Sequence, residues 1–250
     1  MSEFKDHFSG HAADYAQFRP HYPAALFDYL ARLAPARELA WDAATGNGQV
    51  AVSLAPHFAR VIGSDASCAQ IGNALRYPTV IYLVEAAETT QFETGSVDLA
   101  TVAQALHWLD LPKFYAETRR VLKADGVLAA WCYNLFRATP RIDAVVMRFY
   151  RDIIGRYWPH ERVHVETGYD NLAFPFAEIK APRFRMEAEW NLAQLQGYLG
   201  TWSATQRYLK DQGQDPRALI SEELEAAWGS PQSTRRIQWP LYLKIGSNRV

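Results

Sequence analysis

Two hydrophobic patterns alternate through the first half of the chain. Short continuous apolar runs, as expected of strands buried on both faces, are followed by stretches in which apolar residues recur every three or four positions. Ala12–Phe18 predicts a short helix, broken before Pro20. Pro23 opens a second predicted helix to about Leu33, with Leu26, Phe27, Leu30 and Leu33 on one face, and Pro35 stops it. Predicted strands at Glu38–Asp42, Val61–Asp65, Val80–Val84, Asp98–Ala103 and Val127–Tyr133 then interleave with predicted helices at Gln49–Phe58, Ser67–Tyr77 and Leu111–Leu122. Such strands, joined by helical crossovers, imply an α/β fold: a parallel sheet with helices on both faces.

After Tyr133 the rhythm changes. Ile142–Trp158 predicts a long helix, Pro175–Pro182 a loop and Phe184–Trp190 a strand. Leu192–Gln212 and Arg217–Trp228 predict helices, and Gln238–Ile245 a closing strand. The expected organisation is one domain over residues 1–250, with a helical insertion at about 140–230. Inserted between late strands, these helices would form a lid over the carboxyl edge of the sheet, where open α/β sheets bind ligands.

Composition narrows the function. The 250 residues carry 26 Lys+Arg against 27 Asp+Glu, a net charge of -1, so no positive field recruits nucleic acid or an anionic membrane. Hydrophobic residues at 49% and charged residues at 21% exclude global disorder. No secretory signal precedes the first helix and no apolar run is long enough to span a bilayer, so a cytoplasmic protein is expected. Cys68 and Cys132 cannot make a disulfide framework, and both are expected to be buried free thiols. The histidines lack metal-ligand spacing with acids or cysteines, so no metal is expected. Eight Trp among 13% aromatics serve cores first, and they also suit the walls of a small-molecule pocket.

Candidate chemistry centres on Asp42-Ala43-Ala44-Thr45-Gly46-Asn47-Gly48-Gln49, a glycine turn between a predicted strand and a predicted helix. Glycines there let the backbone turn tightly and approach a ligand closely. Asp65, ending the next strand, stands where an acid reaches ribose hydroxyls. Gly46–Ala51 also satisfies the dinucleotide fingerprint G-x-G-x-x-[GA], which keeps an NAD(P)-dependent oxidoreductase as an alternative. Asp42 argues against it: a carboxylate repels a pyrophosphate and attracts the ammonium of S-adenosylmethionine. An ordinary turn, with Asp42 and Asp65 as helix caps, is the third reading.

At these residues the chain resembles the class I S-adenosylmethionine-dependent methyltransferases, near the group that includes trans-aconitate and related carboxylate methyltransferases. The family pattern of an acid followed by x-G-x-G-x-G reads here Asp42-Ala43-Ala44-Thr45-Gly46-Asn47-Gly48, with Ala44 in place of the first glycine. The resemblance continues through Gly63–Ser67, Ala86-Ala87-Glu88, Ser96–Trp108 and Val121–Gly126, and more loosely through Phe8–Pro23, Thr201-Trp202-Ser203 and Gln238–Leu241. It implies a Rossmann-like seven-stranded sheet whose last strand is antiparallel. S-adenosylmethionine is the implied cofactor. By the same resemblance Asp42, Ala44 and Gly46 would approach the methionyl part, Asp65 the ribose, Ala66 the adenine edge, and Ala87 with Glu88 the adenine amino side. Gln104 would lie beside the methionyl group, and Tyr15 and Arg19 would close over the cofactor.

The implied activity is methyl transfer to a small molecule, most simply O-methylation of a carboxylate, for which no general base is required. His107 is the candidate base if the acceptor is neutral. Trp108, Tyr133, Trp158 and Trp202 are candidate pocket walls, and Arg137 and Arg141 candidate cations for an acceptor carboxylate. Nucleic-acid methylation is disfavoured because Gln104-Ala105-Leu106-His107 stands where a proline-rich catalytic motif would be needed. A non-catalytic S-adenosylmethionine-binding protein is the further alternative.

Overall fold

A computed structural model gives the arrangement of residues 20–249; the predicted helix Ala12–Phe18, with Tyr15, and Arg19 lie outside these described residues. The sheet is built outward from two strands whose composition leaves no polar face. These are β1 (Leu39–Ala43), with every residue buried, and β4 (Val97–Ala103), with only its last residue partly accessible. β2 (Arg60–Asp65) and β3 (Val80–Val84) extend the sheet on one side and β5 (Leu122–Tyr133) on the other, all parallel, in the order β3-β2-β1-β4-β5. Strand order therefore reverses between β1 and β4, which opens a crevice at their carboxyl ends.

Helices cover both faces. α1 (Ala24–Leu33) and α2 (Gln49–Leu54) bury Leu26, Leu30 and Leu54 with Val61, Leu99 and Trp131. On the opposite face α4 (Leu111–Val121) buries Phe114 and Val121 with Trp41, Val97 and Leu128. α3 (Cys68–Gly72) is shorter than the predicted Ser67–Tyr77. The chain beyond Asn73 turns back to the glycine loop, where the Leu75 N–H donates to the Asn47 carbonyl at 2.9 Å. Cys132 is buried as expected, whereas Cys68, at the start of α3, is exposed because this short helix buries none of its residues.

The final strand, β8 (Arg235–Ser247), is antiparallel to β5 along Leu241–Ser247. Its earlier half pairs with β7 (Arg185–Trp190), and the two-residue β6 (Ala177–Glu178) lies on its outer edge. The continuous path β3-β2-β1-β4-β5-β8-β6 has seven strands, with β7 attached to β8.

Between β5 and β8 run α5 (Pro140–Arg148), α6 (Arg162–Glu166), α7 (Leu192–Gly200), α8 (Ser203–Gln212) and α9 (Ser221–Trp228). Two predicted long helices are broken here. Ile142–Trp158 leaves α-geometry in a π turn at Phe149–Ile153, and the Trp158 indole N–H donates to the Tyr150 carbonyl at 3.2 Å. Leu192–Gln212 breaks at Trp202, whose extended backbone (ψ 133°) drives the indole into the interior. Side chains replace the lost ladder: Thr205 Oγ1 donates to the Leu199 carbonyl at 2.8 Å and Gln206 Nε2 to that of Gly200 at 2.7 Å. Among the described residues no helix is long and apolar enough to cross a membrane.

Candidate active site

The loop after β1 turns on left-handed residues: Ala44 at φ 51°, Gly46 at 56° and Gly48 at 81°. Gly48 is required sterically, since a Cβ there would lie 2.1 Å from the Tyr82 hydroxyl. A Cβ on Gly63 of β2 would stand 2.9 Å from the same ring, so Tyr82 of β3 is wedged against two glycines. Its O–H donates to the Leu75 carbonyl at 2.7 Å, and burial pushes the phenol up to about 12, so it stays a neutral donor. Tyr82 was not singled out from the sequence; an aromatic mid-strand beside two glycines was the available signal.

At Gly46 the situation is reversed. The nearest atom to a Cβ there would be Gln70 Oε1 at 3.9 Å, so bare backbone faces open space rather than protein. Beside it Asp65 accepts from the Gly46 N–H at 2.9 Å and the Ser67 N–H at 2.8 Å. Each oxygen takes one of these bonds. Ala66 next to it is exposed, and Ala87 is buried. Glu88 accepts from the Asp110 N–H at 2.9 Å, tying the loop after β3 to the start of α4. An exposed strip of backbone flanked by a carboxylate fits a nucleoside without phosphates.

Asp42 differs from its expected placement. It is 1% exposed, and its carboxylate accepts from the hydroxyls of Thr45 and of Thr101, the latter at 2.8 Å. It is therefore an internal anchor of the loop, and its charge reaches the ligand side only through space. Burial pushes its pKa up to about 7, against hydrogen bonds from the two threonines that lower it. Because the folded value lies above the unfolded one, the folded protein holds a proton that the unfolded chain has released between about pH 4 and 7. This group's contribution to stability is thus full at acid pH and is lost as pH rises through about 7. Thermal melts between pH 5 and 8 are expected to show that component in the native protein and to lack it in Asp42→Asn.

Ala44 carries a cost that a glycine would not. A non-glycine residue at φ 51° is strained by about 1–2 kcal/mol, partly offset by the lower chain entropy of alanine. Ala44→Gly is expected to stabilise the protein by about 0.5–1 kcal/mol, read as a rise in melting temperature.

Across the crevice, Gln104 follows β4 at φ 55°. Its side chain is spent on the neighbouring strand: Nε2 donates to the Tyr133 carbonyl at 3.0 Å and Oε1 accepts the Tyr133 N–H at 3.2 Å. Gln104 holds the edge of the site rather than offering a free amide.

Gln104, His107, Trp108, Tyr133 and Trp202 surround one cavity of about 70 Å³, together with Asn134, Trp158, Arg162 and Tyr198. That is space for a few waters or the reacting end of a small molecule. Arg162 of α6 is its cation. The guanidinium donates from Nε to the Tyr150 hydroxyl at 2.8 Å and from Nη2 to Asn134 Oδ1 at 2.7 Å, and lies 4.7 Å from the Trp158 ring centroid. Among the described residues no carboxylate lies within 4 Å of it, in contrast to Arg120, which pairs with Glu117 at 2.6 Å. Arg137 and Arg141 do not fill this role: both are exposed on the chain leaving β5, and Arg137 faces Asp143 at 4.0 Å.

His107 Nδ1 lies 3.0 Å from the Tyr169 hydroxyl. Loss of hydration, then the charge of Arg162 and the neighbouring His164, push the imidazole pKa down to about 3. His107 is therefore neutral and a poor base at physiological pH. Arg162, Asn134 and Tyr169 were not found from the sequence.

Comparison with known proteins agrees with this geometry. Residues 41–130 match the methyltransferase domain family Methyltransf_11. A methyltransferase-like protein of Dictyostelium discoideum is 32% identical over 249 residues, covering 97% of this chain and 95% of its own. The solved structure of a protein from Anaeromyxobacter dehalogenans, described as a type II methyltransferase, is 47% identical with a TM-score of 0.88, over 93% of this chain and 99% of that one. The YcgJ protein of Bacillus subtilis shares the fold alone, at 18% identity and a TM-score of 0.51 over 91% of this chain and 100% of its own. The oxidoreductase alternative falls with these matches: the chain belongs to the class I S-adenosylmethionine-dependent methyltransferases.

Proposed function

We propose that this methyltransferase converts a carboxylate of a small organic acid into its methyl ester. The observation that carries the reading is Arg162, a cation with no direct carboxylate contact among the described residues (Glu166 is reached only through the Tyr150 hydroxyl), held against the wall of an aromatic cavity. A planar guanidinium fixed by two hydrogen bonds and a ring is preorganised to grip a carboxylate.

The cofactor supplies a methyl group already activated on a sulfonium. What remains for the chain is alignment and exclusion of water, worth roughly 7–11 kcal/mol when the reactants are well oriented. Arg162 would hold the acid, while Trp108, Tyr133, Trp158, Tyr198 and Trp202 keep the cavity dry. Since a carboxylate already bears the electron pair that forms the new C–O bond, no proton has to be removed. Opposite charges of donor and acceptor cancel in the transition state, so a dry site favours it. Asp65 would accept from the ribose hydroxyls, with Gly46, Ala66, Ala87 and Glu88 along the cofactor, and Gln104 and Asp42 keeping the two strand ends in place. The helices of the insertion at about 140–230 would cover this edge as a lid.

Screening small carboxylic acids beside their primary alcohols and amides, with label in the cofactor methyl group, tests this. Alkali-labile methyl esters from acids alone are expected. Transfer to alcohols or amides with none to acids would overturn the assignment and restore a base.

A further inference from the structure

Behind His107, outside the cavity lining, lies Tyr169. Tyr169 is fully buried, stands at φ 67° directly after Gly168 at φ 62°, and is held there by its N–H, which donates to the His164 carbonyl at 2.8 Å. A bulky residue in the left-handed region persists only where its surroundings hold it. With Ala44 and Gln104 it completes the set of non-glycine residues with positive φ among the described residues, and the other two flank the cofactor crevice.

That backbone places the phenol oxygen 3.0 Å from His107 Nδ1, its one side-chain hydrogen-bond partner among the described residues. A buried hydroxyl with no other acceptor among the described residues points its single hydrogen at Nδ1. Nδ1 is then the acceptor, and a neutral imidazole carries its proton on Nε2. The groups facing His107 keep this state: Arg162 and His164 from α6 oppose protonation, and burial holds both Tyr169 and the nearby Cys132 thiol in their protonated forms. Among the described residues Nε2 has no hydrogen-bond partner, and His107 lines the same cavity as Arg162.

We propose that Tyr169 is a positioning residue that fixes His107 as a neutral hydrogen-bond donor to the acceptor, so that the site takes acceptors that arrive ionised and not those that must lose a proton. The part concerning acceptors rests on the carboxylate reading; the tautomer does not.

Long-range proton–nitrogen correlation spectra of the full protein with labelled histidine test the tautomer, His107→Gln identifying the signal by its loss. The Nε2–H form, unchanged between about pH 5 and 8, is expected in the native protein, with Tyr169→Phe producing mixed tautomers. A native Nδ1–H signal, or one indifferent to Tyr169→Phe, would overturn the proposal. If Tyr169→Phe does not fold, activity decides. His107→Gln, which keeps an N–H donor, should stay within about tenfold of native turnover on a carboxylic acid, and His107→Phe should lose about 100-fold. Equal loss in both would mean that donation is not the role. Failure of every acid to react, with the Nε2–H signal present, would overturn the carboxylate reading and leave the tautomer standing.

Discussion

Arg162→Ala is expected to lower kcat/KM for a carboxylic acid by about 10²–10³-fold, the usual cost of deleting one partner of a desolvated charged hydrogen-bonded pair. The loss should fall mainly on KM if the guanidinium grips acid and transition state equally. Arg162→Lys is expected to recover only part of it, since an ammonium cannot stack on Trp158 while donating to Tyr150 and Asn134 as the planar group does. Steady-state kinetics on the acid found by the acceptor screen makes the comparison. Calorimetric binding of S-adenosylhomocysteine, unchanged in both variants, would show that the damage is confined to the acceptor side. A loss of less than about threefold with cofactor binding intact would sink the assignment of Arg162 as the acceptor's cation.

Asp65→Ala is expected to weaken S-adenosylhomocysteine binding by about 100-fold or more, because it removes the acceptor proposed for the ribose and frees the loop that carries Gly46. The same carboxylate also receives the Ser67 N–H, so some loss of thermal stability should accompany it. Asp65→Asn separates the two effects. One amide oxygen still accepts from one backbone N–H, but the second position presents N–H where an acceptor is needed. Calorimetry on both variants, beside melts without ligand, distinguishes a displaced loop from a lost ribose contact. Native affinity in Asp65→Ala would remove Asp65 from the cofactor site.

The glycine loop and the strands beside it were readable because their signals are local. β3 occupies the predicted Val80–Val84 to the residue, as a continuous apolar run leaves little choice, and Asp42, Gly46, Gly48 and Asp65 cluster around one turn. Local pattern did not show which way Asp42 points, since Thr101, the partner that turns it inward, lies 59 residues away. The cavity around Arg162 was mostly hidden for the same reason. Arg162 sits in the mixed sequence His160-Glu161-Arg162-Val163-His164, which has no motif, and becomes distinctive only when folding brings Asn134 and Trp158 to it. Helical periodicity likewise runs on through Gly200-Thr201-Trp202, where burial of one indole outweighs the ladder.

The antiparallel pairing of β8 with β5 has a temporal side. β5 leaves the ribosome with eight consecutive buried-type residues, Gly126–Tyr133, and its outer partner follows only after residues 134–234 have been made. At about 5–20 residues per second these 101 residues take roughly 5–20 s. For that interval the nascent protein presents a long apolar edge, the kind that recruits other strands. A strand made about a hundred residues after β5 thus closes this edge, and chains truncated before Arg235 should be clients of chaperones or of proteolysis.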